Sequence, residues 1–322
     1  MARGLSIPSC SHCAQDSIVH QRYSGQNLCA KHLEQSIRKK FNKALREQLT
    51  IPKKEQFKIL VAISGGKDSA VLLERIYHAV GKIPHVEIIA GCIDEGIEGY
   101  RKPSMVCAQE LCKQLGIRFE SIQYTDLGFE EMDKVVEIME KTNDKKTPCA
   151  YCGVFRRQGI NYLAKKFEVN VIALGHNLDD MAQTVLMNIQ NGDMERTLRL
   201  APHTNLPIEG MIPRIVPLRW IPEKEIHLYA THKNLPLHHE DCPHGGIALR
   251  FRHRGTIAQM ELEVPGTRHG LLKFADSVKQ LHRNPVGNGK RKLPTPCGEC
   301  DEFTNGSLCK ACEMKIHLGL SK

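Results

Sequence analysis

The chain has 322 residues, with 45 Lys plus Arg against 36 Asp plus Glu, a net charge of +9, and 13 Cys. At 41% apolar residues it can bury a real core, which excludes wholesale disorder, and its longest apolar runs, such as Ile59–Ile63 and Val171–Leu174, are too short to span a membrane. The first residues, MARGLSIPSCSHC, lack the apolar stretch of a secretory leader, so reduced thiols in a cytoplasmic protein are the expectation and disulfides are not.

In chain order, the first feature is Cys10-x-x-Cys13 followed by Cys29-x-x-His32, four ligands suited to a tetrahedral zinc. From Gln35 to Lys54 the apolar residues Ile37, Phe41, Leu45 and Leu49 recur every fourth position. This spacing predicts an amphipathic helix whose outer face carries Arg38, Lys39, Lys40, Lys43 and Arg46 and which ends at Pro52. From Phe57 strand and helix patterns alternate. Strands are expected at Lys58–Ile63, His85–Ile93, Arg118–Tyr124 and Asn170–Leu174. Helices are expected at Asp68–Val80, near Lys102–Leu115 and Phe129–Lys141, at Val154–Phe167 and at Leu178–Gln190. Repeated β-α-β units predict an α/β fold with a doubly wound parallel sheet, whose ligands sit at the carboxyl ends of the strands. Pro202–Pro222 reads as a Pro-rich crossing loop and Asn284–Pro296 as a linker. The chain then closes with Cys297-x-x-Cys300 and Cys309-x-x-Cys312, a second structural zinc set.

Ser64-Gly65-Gly66-Lys67-Asp68-Ser69 directly follows the strand that ends at Ile63 and opens a helix. Two glycines let the backbone approach an anion, the helix start offers unpaired N–H groups, and Lys67 adds charge. The loop lacks the earlier glycine of a Walker A motif. It resembles the PP-loop of ATP pyrophosphatases, which split ATP between the α and β phosphates. Asp94-Glu95-Gly96 and Gly175-His176-Asn177-Leu178-Asp179-Asp180 end two further strands at the ligand edge. Asp68 and Asp180 are candidates to hold Mg²⁺ beside a triphosphate, although a carboxylate at a helix start is also a good cap.

The middle cysteines differ from the terminal sets. Cys149 and Cys152 lie in Pro148-Cys149-Ala150-Tyr151-Cys152-Gly153, just before a helix by this reading, and Cys242 sits far away in Asp241-Cys242-Pro243-His244. A lone C-x-x-C is compatible with a redox pair or with packing. A pair plus one distant cysteine suggests a three-thiolate site that leaves one metal position open.

Taken together, the leading finger, SGGKDS, PCAYCGVFRR, LGHNLDD, Cys242 and the closing ribbon resemble the NcsA/TtuA family of tRNA 2-thiouridine synthetases over essentially the whole chain. The resemblance implies a 4Fe–4S cluster on Cys149, Cys152 and Cys242, ATP at Ala62, Ser64–Ser69, Asp94, Gly175 and His176, and two structural zincs. It implies five parts: a zinc finger at 1–34, a basic helical linker at 35–55, the PP-loop domain at 56–245, a helical extension at 246–285 and a zinc ribbon at 286–322. It further implies a tRNA substrate, sulfur from sulfide or the thiocarboxylate of a ubiquitin-like carrier, and a homodimer. The implied reaction adenylates the uridine C2 oxygen and replaces it with a sulfur held on the cluster, with catalytic roles for Cys149, Cys242, Lys67, Asp180 and Arg156. A persulfide on Cys149 or Cys242 is the competing route. Gly153-Val154-Phe155-Arg156-Arg157 and Pro265-Gly266-Thr267-Arg268 look more like the branch that acts on the wobble uridine than the branch that acts on the T-loop. A tRNA cytidine thiolase, a lysidine synthetase and a non-catalytic zinc-ribbon RNA-binding subunit are the rival readings. Candidate tRNA contacts are Arg38, Lys39 and Arg46, then Arg250, Arg252, His253 and Arg254, and finally Lys290, Arg291 and Lys292.

Overall fold

The computed structural model describes residues 7–203, 211–245, 249–283, 294–300 and 302–320. A short hairpin of β1 (Val19–Gln21) and β2 (Gln26–Leu28) leads into α1 (Ala30–Gln48). Leu33, Ile37, Phe41, Ala44 and Leu45 line the buried face of α1, while Arg38, Lys39, Lys43 and Arg46 stay exposed, as a three-to-four-residue apolar period demands. Each of the Leu, Ile and Phe side chains contributes about 1.5–3 kcal/mol by leaving water. Buried Gln48 ends the helix by pairing with the backbone of Val216, accepting its N–H at 2.7 Å and donating to its carbonyl at 3.4 Å.

The central sheet has five parallel strands, β3 (Phe57–Ala62), β4 (Val86–Asp94), β5 (Arg118–Gln123), β6 (Val171–Ala173) and β7 (Arg214–Ile215), in the order β5-β4-β3-β6-β7. The order reverses between β3 and β6, and that switch point opens a crevice at the carboxyl edge. Alternate residues of β3 enter two different cores, because strand side chains point to opposite faces. Ile59 and Val61 pack with α1, α2 (Lys67–Val80) and α3 (Arg101–Leu115). Leu60 packs on the other face with α4 (Met132–Lys141) and α5 (Pro148–Lys166). Layers of helix, sheet and helix are thus covered on both faces, as a fully buried parallel sheet requires.

Three local expectations need correction. The segment 202–222, read as a crossing loop, contributes β7, a two-residue strand recruited by pairing with β6 and too short to show periodicity. Helix α5 begins at Pro148 and not at Val154, so Cys149 lies in its first turn and Cys152 opens its second. Proline is well suited to that first position, since its missing N–H would be unpaired there anyway. The linker reading ran to Pro296, but β8 (Thr295–Pro296) pairs with β9 (Phe303–Thr304).

After β7 come α8 (Glu223–His232), α9 (Leu249–Glu263), α10 (Thr267–Arg283) and, past β8 and β9, α11 (Lys310–His317); α6 (Leu178–Gln190) and the short α7 (Met194–Leu198) precede β7. The C-terminal module is sewn onto α5 by Asn161–Glu302 at 2.7 Å and Lys165–Glu302 at 3.1 Å, and onto the α4–α5 connection by His317–Asp144 at 3.0 Å. Among the described residues no helix is long and apolar enough to cross a membrane.

Candidate functional site

The loop 64–66 leaves β3 at the switch point, and α2 starts at Lys67 with Gly66 as a cap that offers no side chain, so its first N–H groups remain available to a ligand. Gly65 has φ +86°, and a Cβ there would lie 1.9 Å from the Ser104 carbonyl oxygen, so only glycine fits. Gly175, at the end of β6, backs onto the same helix start: its Cβ would stand 3.3 Å from the Asp68 carbonyl carbon and the Ser69 nitrogen. Ser69 locks the loop by accepting from the Ser64 N–H at 3.1 Å and donating to the Gly66 carbonyl at 2.9 Å.

A cavity of about 600 Å³ opens above this loop. Its far wall carries residues the sequence did not single out: Tyr100, Ser104, Glu223, His227 and His238. Lys67 lies 2.8 Å from Glu223 and 3.3 Å from Asp68. Burial pulls its amine down, but the two carboxylates outweigh burial and hold it above the usual lysine value, firmly charged. The Asp68 carboxyl is pushed up by burial against the pull of Lys67 and of the Asn177 amide, which donates to it at 2.9 Å, and neighbouring Asp180 pushes it further. Asp180 forms a capping box with Asn177 at the start of α6, so the cap reading holds for it. Asp68 and Asp180 are still close enough to repel, which is the donor chemistry a hard cation prefers.

Ala62 ends β3 beside this cavity, Asp94 ends β4 and accepts the Gly96 N–H at 3.0 Å, and His176 is exposed at the same edge. The turn Pro265-Gly266-Thr267-Arg268 joins α9 to α10: Glu261 accepts the N–H groups of Gly266 at 2.8 Å and Arg268 at 3.0 Å. That turn delivers the Arg268 guanidinium to Asp179 at 2.7 Å, while Arg254 reaches Glu223 at 2.9 Å.

The segment that carries Cys242 borders the cavity. The His238 N–H donates to the Gly65 carbonyl at 3.0 Å, and the chain runs on through Asp241, which lines the cavity, to Cys242. Cys149 then lies 3.8 Å, sulfur to oxygen, from the carbonyl of His244. His244 is itself braced by Asp133 at 2.6 Å. Burial raises the Cys152 thiol and Arg156 pulls it back; burial also raises Cys242, with Cys149 adding to the rise and Arg156 opposing it. Glu95 orients this cation. It is buried, 3.6 Å from Arg156 and 2.6 Å from Arg101, and Arg101 donates onward to the Ser64 carbonyl at 3.0 Å. A continuous polar path therefore joins the loop to the thiols.

The terminal groups have the dimensions of single ions. Zinc–thiolate bonds of about 2.3 Å in a tetrahedron put sulfurs about 3.8 Å apart. Cys13 and Cys29 are 3.8 Å apart, His32 lies 3.2–3.5 Å from Cys10, Cys13 and Cys29, and Cys300 lies 3.5 Å from both Cys309 and Cys312. With Cys297, they form two sets whose ligand atoms all lie within 4.8 Å. Cys149, Cys152 and Cys242 do not close to that spacing. Three thiols with a neighbouring guanidinium, one of them exposed and spread wider than a single ion needs, suit a polynuclear cluster.

A model of the PP-loop domain matches residues 32–242, and one of the N-terminal LIM domain of the 2-thiouridine synthetase TtuA matches residues 9–34. The tRNA 2-thiolation protein NcsA of Haloferax volcanii is 36% identical over 95% of this chain and 97% of its own. The chain belongs to the NcsA family of PP-loop tRNA 2-thiolation proteins. Cytoplasmic tRNA 2-thiolation protein 1 of Anopheles gambiae is 30% identical over 99% of this chain and 91% of its own. The U34-tRNA thiolase NcsA of Methanococcus maripaludis, solved with its 4Fe–4S cluster, superposes with a TM-score of 0.79 at 30% identity, covering 99% of this chain and 98% of that one.

Of the candidate RNA contacts in this family member, Arg38, Lys39, Arg46 and Arg252 are exposed, while His253 is buried and bonded to Gln190. The side chain of Arg250, and Lys290, Arg291 and Lys292 altogether, lie outside the described residues.

Proposed function

We propose that this chain catalyses ATP-dependent 2-thiolation of tRNA at the wobble uridine. The observation that carries the reading is the adjacency of an adenylating loop and three thiols, through the His238–Gly65 bond on one side and the Cys149–His244 approach on the other. ATP binds with its phosphates against the free N–H groups of the α2 start, and Lys67 exchanges Glu223 for phosphate oxygens. Asp68 and Asp180 would hold a magnesium ion, which supplies charge neutralisation for the triphosphate. The uracil C2 oxygen attacks the α phosphorus and pyrophosphate leaves, its growing charge met by Lys67 and the loop amides. The C2 oxygen, now esterified to AMP, is a competent leaving group. A sulfur nucleophile forms the C–S bond at C2 as the C–O bond breaks and AMP departs. Cys149, Cys152 and Cys242 would hold a 4Fe–4S cluster, which when bound supplies an iron position without a protein ligand, suited to retaining a sulfur species. Arg156, too basic to accept a proton, stabilises thiolate and developing negative charge.

The Cys10, Cys13, Cys29, His32 set and the Cys297, Cys300, Cys309, Cys312 set would each hold a structural zinc. Sulfur enters as sulfide or from a ubiquitin-like carrier's thiocarboxylate, and the protein acts in the cytoplasm as a homodimer; family resemblance supports these points. AMP release with tRNA, followed by nucleoside mass spectrometry mapped to position, tests the reading. The expected product is 2-thiouridine at the wobble position. A product confined to the T-loop, to cytidine, or to lysidine would replace it.

A further inference from the structure

A second cavity, of about 210 Å³, lies between α5, β7 and the C-terminal ribbon, on the opposite side of α5 from the cysteine-facing Arg156. Its described lining includes the cations Arg157, Lys165, Arg214 and Lys310, against a single carboxylate, Glu302. That carboxylate is already engaged, by Asn161 at 2.7 Å and Lys165 at 3.1 Å. Lys310 pairs outside the cavity with Glu313 at 2.6 Å. Arg214 donates to the neutral Asn161 side chain at 2.6 Å, and among the described residues neither it nor Arg157 has an ion-pair partner.

Arg157 and Arg214 face one cavity whose described lining holds a single carboxylate, Glu302, and they repel each other. Arg214 is pushed down to about 10 by burial, with Arg157 as the next cause, and His203 at the rim is held neutral, near 4, by burial and the surrounding cations. Four cations gathered round one carboxylate repel one another, a cost that a further negative charge set between them offsets. An anion of phosphate size, met by the forked donors of arginine, relieves that repulsion.

We infer that this cavity is a seat for a backbone phosphate of the RNA substrate. Its location favours RNA over a free anion: Arg157 follows Cys152 by five residues on the same helix, about 7.5 Å along the axis. The same step turns about 140° round the helix, so a strand wrapping α5 can set one phosphate here and present a base further along it to the thiols. The inference rests on the tRNA reading above, but it names a contact apart from the nucleotide loop and the cysteines. It also gives the ribbon a role beyond holding zinc, because Phe303, Lys310 and Ala311 form one wall.

The test uses full-length protein and an unmodified tRNA transcript. Arg157→Gln and Lys310→Gln are compared with wild type for affinity at several salt concentrations, for melting temperature and for ATP binding without tRNA. Exposed Arg157 has no partner to lose, so Arg157→Gln is expected to melt like wild type and to bind ATP normally. Its tRNA affinity is expected to fall roughly three- to tenfold, and the slope of log affinity against log salt to drop by about one. Inorganic phosphate should compete with tRNA for wild type and less for the variant. Wild-type affinity and slope in both variants would overturn the inference alone. Phosphate binding that Arg157→Gln removes without changing tRNA affinity would assign the cavity to a free anion, and overturn it equally. A wild-type protein that binds no tRNA would overturn this and the proposed function together.

Discussion

Both ends of the chain and its middle use the same local code, a C-x-x-C or C-x-x-H at the start of a helix, with opposite results. Cys29 caps α1 and Cys309 caps α11, each completing a four-ligand set with sulfurs 3.5–3.8 Å apart. Those sets are closed, and Cys297, Cys309 and Cys312 belong to the core that α5 completes. At α5 the pair finds only one further thiol, from Cys242, and in place of a fourth ligand it faces Arg156 and Glu95. On the function proposed above, the presence or absence of a fourth protein ligand separates a fastening from a reactive centre.

The comparison can be broken most sharply at Cys242. Cys242→Ala is expected to abolish thiolation, a loss of at least about a thousandfold, while shifting Tm by no more than about 2 °C and leaving tRNA affinity intact. Measured by nucleoside mass spectrometry beside thermal melting, a large stability loss with residual activity would place Cys242 with the fastenings. Next comes Lys67→Ala, expected to slow ATP–pyrophosphate exchange by on the order of a hundredfold to a thousandfold with the iron content unchanged. A parallel loss of iron would mean that loop and thiols are not separable parts.

Cys297→Ser, or a chelator acting on the ribbon, should cost several kcal/mol of stability, with activity falling only as the fold does, because zinc binding there is folding free energy. Zinc analysis with melting decides it: a stable variant that has lost zinc and keeps full activity would falsify a structural ion. The smallest effect is a control at a residue outside the cysteine sets. His269 stacks on Trp220 and is pushed down to about 4, first by burial and then by Lys40. It is neutral when folded, so as pH falls below about 6.5 the unfolded chain takes a proton that the native state refuses, and stability declines toward pH 4. His269→Gln should flatten that acid-side decline in Tm between pH 7 and pH 5 without changing iron or zinc content.

Much of the architecture could be read from pattern. Buried parallel strands are near-continuous apolar runs, so β3 and β4 were visible, and the loop at Ser64–Ser69 announced itself by its glycines. β7 escaped because two residues carry no period and its pairing is supplied by β6. The start of α5 was misjudged because Gly153 invites a break, whereas the helix runs through it once Pro148 has fixed the first turn. In the site, Glu95 was noticed only as part of a turn and Glu223 not at all. Glu223 reaches Lys67 across 156 positions of sequence, and no spacing rule covers such a distance. The Pro265–Arg268 turn was noticed without its purpose, which is to bring Arg268 to Asp179.

By itself the sequence determined the parts whose physics is local: which runs become strands, which glycines permit an anion's approach, and which cysteines stand one helical turn apart. The tertiary structure alone decided which parts meet. Cys242 joins Cys149 and Cys152 because the segment after α8 docks on the nucleotide loop through the His238–Gly65 bond, and Arg101 and Glu95 carry the loop's geometry to Arg156. Electrostatic pairing acts through space, so the partner of a buried charge is chosen by how the layers pack, and residue spacing along the chain holds no record of that choice.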